Sequence, residues 1–328
     1  MRFSSLVGNE QAKALLLSLA QQVRSSYVLL FSGPEGVGKS SFAEAFSTLL
    51  LGDKQEKKIK EKIHPDVLYF QPEGKMRQHP ISSIRQMIES ASIPPFEGAY
   101  KIHVIAEAEK MLPSSSNALL KTLEEPLDRS VFILMTSKAS EMLPTILSRC
   151  LIVPFEPIQE QELAFFLQRT KGVSLEEAKK AAMAGGGCFS KALSFLQSSK
   201  DPLRVQFQEL LSRFFLDPPS MALIEALAGV EKTLEKREGK EENSSLALEG
   251  LFEELLFWVR DLHCLQSKSS FPLFHASYEE SLARQLQKGS IPSIEKTLES
   301  LERAQTALQR SMKPRVLLEH LLGELSCC

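Results

Sequence analysis

The residues with the clearest chemistry form a short glycine-rich segment between an apolar run and a helical pattern. They are Gly33, Pro34, Glu35, Gly36, Val37, Gly38, Lys39 and Ser40. This spacing is typical of a P-loop, in which backbone N–H groups surround phosphate oxygens, the lysine reaches the β- and γ-phosphates and the serine ligates Mg²⁺. The segment therefore predicts a site for ATP or another nucleoside triphosphate, with Mg²⁺ at Ser40.

A P-loop needs a buried strand before it and a helix after it, and the sequence supplies both within a longer pattern. Five apolar runs predict strands: Tyr27 to Ser32, Asp66 to Phe70, Lys101 to Ala106, Val131 to Thr136 and Leu151 to Phe155. Their apolarity is continuous and helical patterns separate them, which indicates a parallel sheet covered on both faces. Residues 1–157 are therefore predicted to form an α/β nucleotide-binding domain. The charge-dense segment Gly52 to His64 is predicted to be a solvated loop or a frayed helix.

After Pro157 the strand patterns stop and helical patterns follow. Residues 158–200 predict a small helical lid domain, with two helical stretches broken at Gly185-Gly186-Gly187. Residues 201–328 predict an all-α domain, because apolar residues recur there at i, i+3, i+4 and i+7. These stripes contain Phe207, Leu210, Leu211, Phe214 and Phe215, and then Leu248, Leu251, Phe252, Leu255, Val259 and Leu262.

The composition argues against several classes of protein. The chain has 328 residues, 43% of them hydrophobic, which suits more than one core. Its apolar runs fall short of the ~20 residues of a membrane span and its start lacks a signal-peptide layout, so we expect a cytoplasmic protein. Because 39 basic residues stand against 41 acidic ones, any contact with DNA would be local. The five cysteines lack metal-ligand spacing, which predicts no zinc site.

Four other segments accompany the P-loop at positions that fit its sheet. They are FSSLVGNE (Phe3 to Glu10), NALLKTLEEP (Asn117 to Pro126), LPTILSRC (Leu143 to Cys150) and GCFSKAL (Gly187 to Leu193). Together they strongly resemble the clamp-loader branch of the AAA+ ATPases, which includes subunits of bacterial DNA polymerase III and of replication factor C. The resemblance is dense over residues 1–195 and thin thereafter. It implies an AAA+ domain, a helical lid and a helical collar that joins subunits.

The resemblance gives Arg149 a specific role. In the family, the arginine of the Ser148-Arg149-Cys150 segment crosses a subunit interface and stabilises the charge on a neighbour's transferred phosphoryl group. Such an arginine finger raises the rate about 10³–10⁵-fold. Taken without its context, an arginine here would more often be a surface salt-bridge partner.

Three further residues stand at catalytic positions of the family. Glu107 matches the glutamate of the Walker B motif, whose aspartate is replaced here by Ala106. Ser137, beside Thr136 at the end of the fourth strand, matches sensor 1. Lys191 matches the sensor 2 arginine. Lysine keeps the positive charge of that arginine but lacks its planar donor fork. Losing the Walker B aspartate removes a hold on Mg²⁺ and is expected to depress hydrolysis.

The departures from the family pattern favour one class of subunit. The family's four-cysteine zinc module, normally inserted before the His64-Pro65-Asp66 segment, is absent from this sequence. An intact finger beside a damaged Walker B motif resembles the δ′ class rather than the ATPase class, γ/τ. This resemblance implies γ/τ and δ subunits as partners, with the sliding clamp and primed DNA reached through the assembly.

Two other functions stay open. One is an active γ-like ATPase with Glu107 as the base that activates water, and the other is a non-replicative AAA+ interaction module. A polymerase activity of the chain itself is not expected, because the acidic residues expected beside the P-loop are Glu107 and Glu109, and nucleotidyl transfer needs two or three clustered carboxylates. Residues near Lys75-Met76-Arg77 and Ser82-Ser83-Ile84-Arg85 are candidates for contact with DNA phosphates, although such clusters are usually solvated surface.

Overall fold

A computed structural model describes residues 3–22, 26–74, 77–198, 201–214, 227–230, 233, 241–288, 291–309 and 314–326. The chain divides into two compact units, Met1–Phe195 and Leu196–Cys328. The first contains a parallel sheet with helices and the second is helical in its described part. This confirms the predicted fold class. The further division of the first unit into an α/β domain and a separate lid stays a prediction.

The sheet of the first unit has five parallel strands in the order β2-β3-β4-β1-β5. The strands are β1 (Tyr27–Ser32), β2 (Val67–Phe70), β3 (Lys101–Ile105), β4 (Ser130–Thr136) and β5 (Leu151–Pro154). Each begins and ends within one residue of its predicted run. Because all the strands are parallel, their carboxyl ends, and the loops that follow them, lie along the same edge of the sheet.

Helices cover both faces of this sheet. The helices of this unit are α1 (Glu10–Gln21), α2 (Lys39–Leu51), α3 (Glu56–Lys60), α4 (Ile81–Ala91), α5 (Pro113–Glu124), α6 (Pro144–Leu147), α7 (Glu160–Lys171), α8 (Leu175–Gly185) and α9 (Phe189–Ser198). Side chains of α1 and α2 pack on one face of the sheet, and side chains of α4 and α5 pack on the other. The short α3 lies in the charge-dense segment predicted as a loop or frayed helix. It is held to the unit by the fully buried side chain of Ile59.

Alternate residues of the central strands enter two different hydrophobic clusters. Leu29 and Phe31 of β1 pack with side chains of α1 and α2, whereas Leu30 between them packs with side chains of α4 and α5. This alternation is expected when successive side chains of a strand point to opposite faces of a sheet. Full burial of each such side chain stabilises the fold by about 1.5–3 kcal/mol.

The segment predicted as a lid forms three helices, α7, α8 and α9, instead of the two helical stretches expected. The additional break follows Gly172, which ends α7 with a φ of 66°. Ser174 and Glu177 then form a capping box that starts α8, each side chain accepting a hydrogen bond from the other residue's N–H. These two signals end one helix and begin the next, because left-handed glycine and a capping box satisfy the free backbone groups of helix ends.

The second unit is built on a helical core. Its helices are α10 (Pro202–Phe214), α11 (Glu241–Gln266), α12 (Glu279–Lys288), α13 (Ile294–Gln309) and α14 (Pro314–Ser326). The predicted stripes of α10 and α11 are buried in one cluster with Trp258, and Phe215 lies outside the described residues. Trp258 Nε1 donates to Gln285 Oε1 at 3.0 Å, and Gln285 Nε2 donates to the carbonyl of Leu211 at 2.8 Å.

A cluster of charged side chains lies inside this helical core. His275 contacts Glu254 Oε1 through Nε2 at 2.7 Å and Asp261 Oδ2 through Nδ1 at 2.9 Å. Arg204 forms an ion pair with Glu254, and Gln208 donates to the same carboxylate. Burial opposes the charge on His275, but the two carboxylates hold its pKa above the ordinary value of 6.5. Burial likewise opposes the charge on Glu254, but His275 and Arg204 hold its pKa below 4.5.

Candidate functional site

A cleft of about 750 Å³ lies at the carboxyl edge of the sheet. The predicted P-loop lies between β1 and α2, and the neighbouring strand β4 ends beside it, with Ser32 in register with Thr136. Strand β3 lies on the other side of β4 and brings Ala106 and Glu107 to the same edge. The strand order therefore gathers the P-loop, the Walker B position and the sensor 1 position around one cavity.

The P-loop is shaped by glycines in two different ways. Gly33 donates its N–H to the carbonyl of Thr136 at 3.2 Å and lies so close to Phe155 that a Cβ there would overlap the carbonyl oxygen of Phe155. Gly38 has a φ of 101°, which favours glycine, and immediately precedes α2. The loop therefore ends at the amino terminus of a thirteen-residue helix, where free N–H groups and the helix dipole favour phosphate.

Lys39 folds back on the loop to which it belongs. Its Nζ donates to the carbonyl oxygens of Gly33 at 2.5 Å and Pro34 at 2.8 Å. Burial lowers the pKa of Lys39, and the neighbouring carboxylates of Glu109 and Glu35 oppose that shift. Ser40 is exposed at the start of α2, with its Oγ 3.9 Å from Met135 Sδ. Both side chains line the cleft and have the chemistry to hold phosphate and Mg²⁺.

Glu107 lines the cleft and is paired with two cations. Arg77 Nη2 donates to Glu107 Oε1 at 2.7 Å, and Lys110 pairs with Oε2. Burial opposes the charge on Glu107, but Lys110 and Arg77 hold its pKa below the ordinary value. Its backbone has a φ of 48°, in the left-handed region. Ala106 directly before it has no oxygen ligand to offer a metal, as the sequence predicted.

Glu109 reaches the sensor 1 residue. Ser137 donates to Glu109 Oε1 twice, from Oγ at 2.7 Å and from its backbone N–H at 3.2 Å. Burial opposes the charge on Glu109, but these bonds from Ser137 help to hold its pKa below the ordinary value. Among the described residues Glu109 Oε2 has no hydrogen-bond partner, although that atom is fully buried. The carboxylate that contacts the sensor 1 position is therefore Glu109, which lies two residues after the Walker B position.

The start of α9 closes the other side of the cleft. Ser190 N–H donates to the carbonyl of Gly36 at 3.3 Å, and Phe189 and Ser190 both line the cavity. Lys191, at the sensor 2 position, is exposed, and the described lining residues do not include it. The structure thus brings the sensor 2 segment onto the P-loop without bringing the Lys191 side chain into the cleft.

Arg149 lies away from this cleft, just after α6. Its Nη1 donates to the carbonyl of Thr145 at 2.7 Å, and its Nε donates to Glu124 Oε1 at 2.8 Å. Glu124 is the first glutamate of the LEEP segment at the end of α5. The side chains of Arg149 and Glu124 are 29% and 47% exposed. Arg149 is not among the described residues that line the cleft.

Two of these contacts were not predicted from the sequence. The sequence names Glu109 as an acidic neighbour of the P-loop without a role, and a carboxylate on the turn after β3 is the signal that pointed to it. The Arg149–Glu124 pair joins two separate motifs of the sequence, 25 positions apart. Neither contact can be predicted from the spacing of residues in a single sequence, because both depend on the directions in which turns point the side chains.

The remaining candidate sites are sparse in the described part of the chain. There, no group of three or more His, Cys, Asp or Glu side chains is placed to hold a metal ion. Cys150, Cys188 and Cys264 are free thiols. Of the candidate DNA contacts, Lys75 and Met76 lie outside the described residues, Arg77 is paired with Glu107, and Arg85 is exposed. The helices that the structure describes include none with the length and apolarity to cross a membrane.

Comparison with known families matches residues 8–159 to the family described as "DNA polymerase III, delta subunit". Among curated proteins, the chain is 31% identical over 159 residues to DNA polymerase III subunit delta′ of Bacillus subtilis, covering 45% of this chain and 48% of that protein. It is 27% identical over 290 residues to DNA polymerase III subunit tau of the same bacterium, covering 80% of this chain and 50% of that protein. The chain thus spans about half the length of these relatives.

A solved structure matches nearly the whole chain. It is a protein related to the gamma subunit of DNA polymerase III from Thermotoga maritima, with a TM-score of 0.52 and 19% sequence identity, covering 95% of this chain and 97% of that one. At this level of identity the likeness establishes the fold alone. It agrees with a parallel sheet followed by helices, as described above.

Proposed function

Since the chain belongs to the clamp-loader family of AAA+ proteins of bacterial DNA polymerase III, we propose that it is a δ′-type subunit. In this proposal it supplies Arg149 to the ATP site of a neighbouring γ/τ subunit. The finger stabilises the negative charge that develops on the transferred phosphoryl group. The chain thereby supports the ATP-dependent loading of the sliding clamp onto primed DNA in the cytoplasm.

The position of Arg149 carries this proposal. Its guanidinium is partly exposed at the end of α6 and is absent from the described lining of the chain's own cleft. Glu124 and the carbonyl of Thr145 hold it there through separate nitrogens. Nε and Nη2 both donate to Glu124, so the guanidinium has a defined direction, and a planar donor fork of this kind also suits phosphate oxygens. A partly exposed arginine outside the described lining of its own cleft is suited to a site on another subunit.

The chain's own ATP hydrolysis is proposed to be weak. Ala106 offers no carboxylate at the end of β3, and Glu107 is engaged by Arg77 and Lys110. A water-activating carboxylate has to accept a proton from the attacking water, and two neighbouring cations reduce its basicity. The intact finger and the weakened Walker B motif fit a subunit that stimulates a neighbour.

ATP and Mg²⁺ are proposed to bind at the P-loop nonetheless. The backbone of residues 33–38 would hold the phosphates, Lys39 would turn from the loop carbonyls toward them, and Ser40 would hold the metal. Bound Mg²⁺ neutralises phosphate charge. The contact between Ser190 and Gly36 places α9 directly against the loop, so occupancy of the P-loop would be sensed by this helix.

The helical unit is proposed to join the chain to γ/τ and δ subunits. Several apolar side chains of its described residues are exposed, which supports a surface that other subunits cover. They are Phe271, Ile294, Leu298 and Val316. Contacts with the sliding clamp and with primed DNA would be made by the assembly as a whole.

An active γ-like ATPase is the second candidate. The alignment with subunit tau, which extends over 80% of this chain, favours it. This candidate requires ATP turnover by the isolated chain that Lys39→Ala abolishes. A non-replicative AAA+ module is a third reading, and it would not associate with γ/τ and δ subunits.

The decisive test measures ATP hydrolysis by a reconstituted assembly of this chain with γ/τ and δ subunits from the same organism. With clamp and primed DNA present, we expect Arg149→Ala to lower turnover about a hundredfold, because the neighbouring site loses its finger. Arg149→Lys keeps the charge but loses the planar fork, so it should restore only a small part of the rate.

Two control measurements show whether the Arg149→Ala variant is intact. Gel filtration should show that the Arg149→Ala assembly stays intact, and thermal unfolding of the isolated variant should match the native chain, since an exposed ion pair contributes about 0–1 kcal/mol. Unchanged turnover in an intact assembly would make Arg149 a structural residue and would favour the γ-like ATPase.

A further inference from the structure

Two glutamates follow strand β3 in the cleft, and their carboxylates make different contacts. Glu107 has both carboxylate oxygens paired with cations, Arg77 and Lys110. Glu109 has one oxygen held by Ser137 and the other buried. Both line the cleft that contains Lys39 and Ser40. A positive ligand would find the charge of Glu107 already neutralised and that of Glu109 still available.

The buried oxygen of Glu109 is the more informative of the two. In the described part of the chain Oε2 accepts no hydrogen bond. Leaving a charged acceptor buried and unsatisfied costs more than the ~1–3 kcal/mol of a neutral group. A buried acceptor without a partner therefore calls for an explanation, and an ion or water that binds there is one of the ordinary ones.

The surroundings of Glu109 favour a cation that comes with phosphate. Its charge acts on Lys39, which is itself held by the P-loop carbonyls. Ser137 fixes the carboxylate through two donors to Oε1, and Oε2 is buried with no hydrogen-bond partner among the described residues. Proteins commonly hold Mg²⁺ with one or two carboxylates together with substrate phosphates and waters, without an all-protein cage. A single well-oriented carboxylate beside a P-loop serine meets that requirement.

We propose that Glu109 is the carboxylate that holds the Mg²⁺ of a nucleoside triphosphate bound at this P-loop, in place of the missing aspartate at Ala106. Ser137 acts as its positioning residue. Glu107 keeps its pairing with Arg77 and Lys110 and does not contact the metal. The inference rests on the proposed nucleotide binding and is independent of the finger role of Arg149.

The test measures nucleotide binding by the isolated full chain. The fluorescence of an N-methylanthraniloyl ATP analogue reports the binding. Dissociation constants are measured with Mg²⁺ and with EDTA, and their ratio gives the gain in affinity due to the metal. We expect Glu109→Gln to lower this gain at least tenfold and to leave the affinity in EDTA unchanged or higher. Glu107→Gln and the control Glu141→Gln, another glutamate of the cleft, should keep the native gain.

Ser137→Ala provides a second, milder variant. It removes the hydroxyl donor and keeps the backbone donor, so it should lower the Mg²⁺ gain less than Glu109→Gln does. The inference is overturned if Glu109→Gln keeps the native gain, if Glu107→Gln loses it, or if the native chain binds the analogue no better with Mg²⁺ than with EDTA. None of these results would alter the effect expected of Arg149→Ala in the assembly, so the two proposals fail separately.

Discussion

The two units of this protein use charged side chains in opposite ways. In the helical unit, Glu254 and Asp261 are fully buried and His275 lies between them, each with partners inside the core. In the sheet unit, Lys39 and Glu109 lie at the edge of an open cleft, and Glu109 keeps an oxygen without a described partner. In the first arrangement both oxygens of Glu254 face a charged partner, His275 or Arg204. In the second, Glu109 Oε2 has no hydrogen-bond partner among the described residues, and our proposal assigns that place to a ligand.

This difference distinguishes charged side chains that stabilise the fold from charged side chains that we propose bind a ligand. A buried charge is tolerated when partners and hydrogen bonds surround it, and removing one partner leaves the others uncompensated. A charge at a binding cleft is held in place at some cost to stability, because the ligand supplies the missing interaction later. Substitutions in the helical cluster should therefore change stability, whereas substitutions at the cleft should change binding.

The largest effect is expected in the helical cluster. Glu254→Gln removes the charge that His275 and Arg204 face, so the free energy of unfolding should fall by about 3–5 kcal/mol. The change can be measured by urea unfolding followed by tryptophan fluorescence, because the chain's single tryptophan, Trp258, lies in this core. The control is Glu249→Gln, at an exposed position of the same helix, which should change stability by less than about 0.5 kcal/mol. If the two variants lowered the free energy of unfolding equally, the stabilising role of the buried cluster would be contradicted.

A smaller effect, on binding instead of stability, is expected at the P-loop. Lys39→Met removes the cation that reaches the phosphates, so affinity for the ATP analogue should fall about ten- to a hundredfold, the equivalent of ~1.5–3 kcal/mol. Because burial lowers the pKa of Lys39, its charge is disfavoured in the folded chain, and the thermal unfolding temperature should change little. Lys138→Met, at an exposed position of the same cleft, is the matched control. A clear loss of stability in Lys39→Met would make Lys39 a structural group.

The smallest effect is a dependence of the helical unit's stability on pH. The pKa of His275 is raised above 6.5 in the folded chain, so the stability from its charged form is fully present below pH 6.5 and is lost as the pH rises through the folded value. Each unit of pKa difference corresponds to about 1.4 kcal/mol. Urea unfolding of the native chain, followed by Trp258, should give a lower unfolding free energy at alkaline pH than at pH 6. In His275→Gln this difference should shrink, and an equal difference in both chains would assign it to other groups.

Much of the sheet unit could be predicted from the sequence because its signals are local. Continuous apolar runs marked the strands, and the glycine and lysine spacing marked the P-loop between β1 and α2. The break between α7 and α8 was missed, although Gly172 and the capping box at Ser174 are local signals too. The helical pattern of that segment does not by itself show the break, which depends on the residues that satisfy helix ends.

The candidate site was only partly predictable, and the turn after β3 shows why. Glu107 and Glu109 are two positions apart and chemically equivalent in the sequence, yet one contacts Arg77 and Lys110 and the other contacts Ser137. A left-handed residue at Glu107 and a short 3₁₀ turn at Ala108–Lys110 set these two directions. No spacing rule in one sequence predicts which carboxylate faces the cleft.

The sequence by itself determined the P-loop, the strands, the helical stripes and the absence of an aspartate at Ala106, because each depends on residues close together in the chain. Only the tertiary structure decided the strand order that joins β3 to β4, the contact of Ser190 with Gly36 and the pairing of Arg149 with Glu124. These features depend on packing between distant segments. The direction and burial of a side chain are properties of the folded chain, and they give chemically similar residues different contacts.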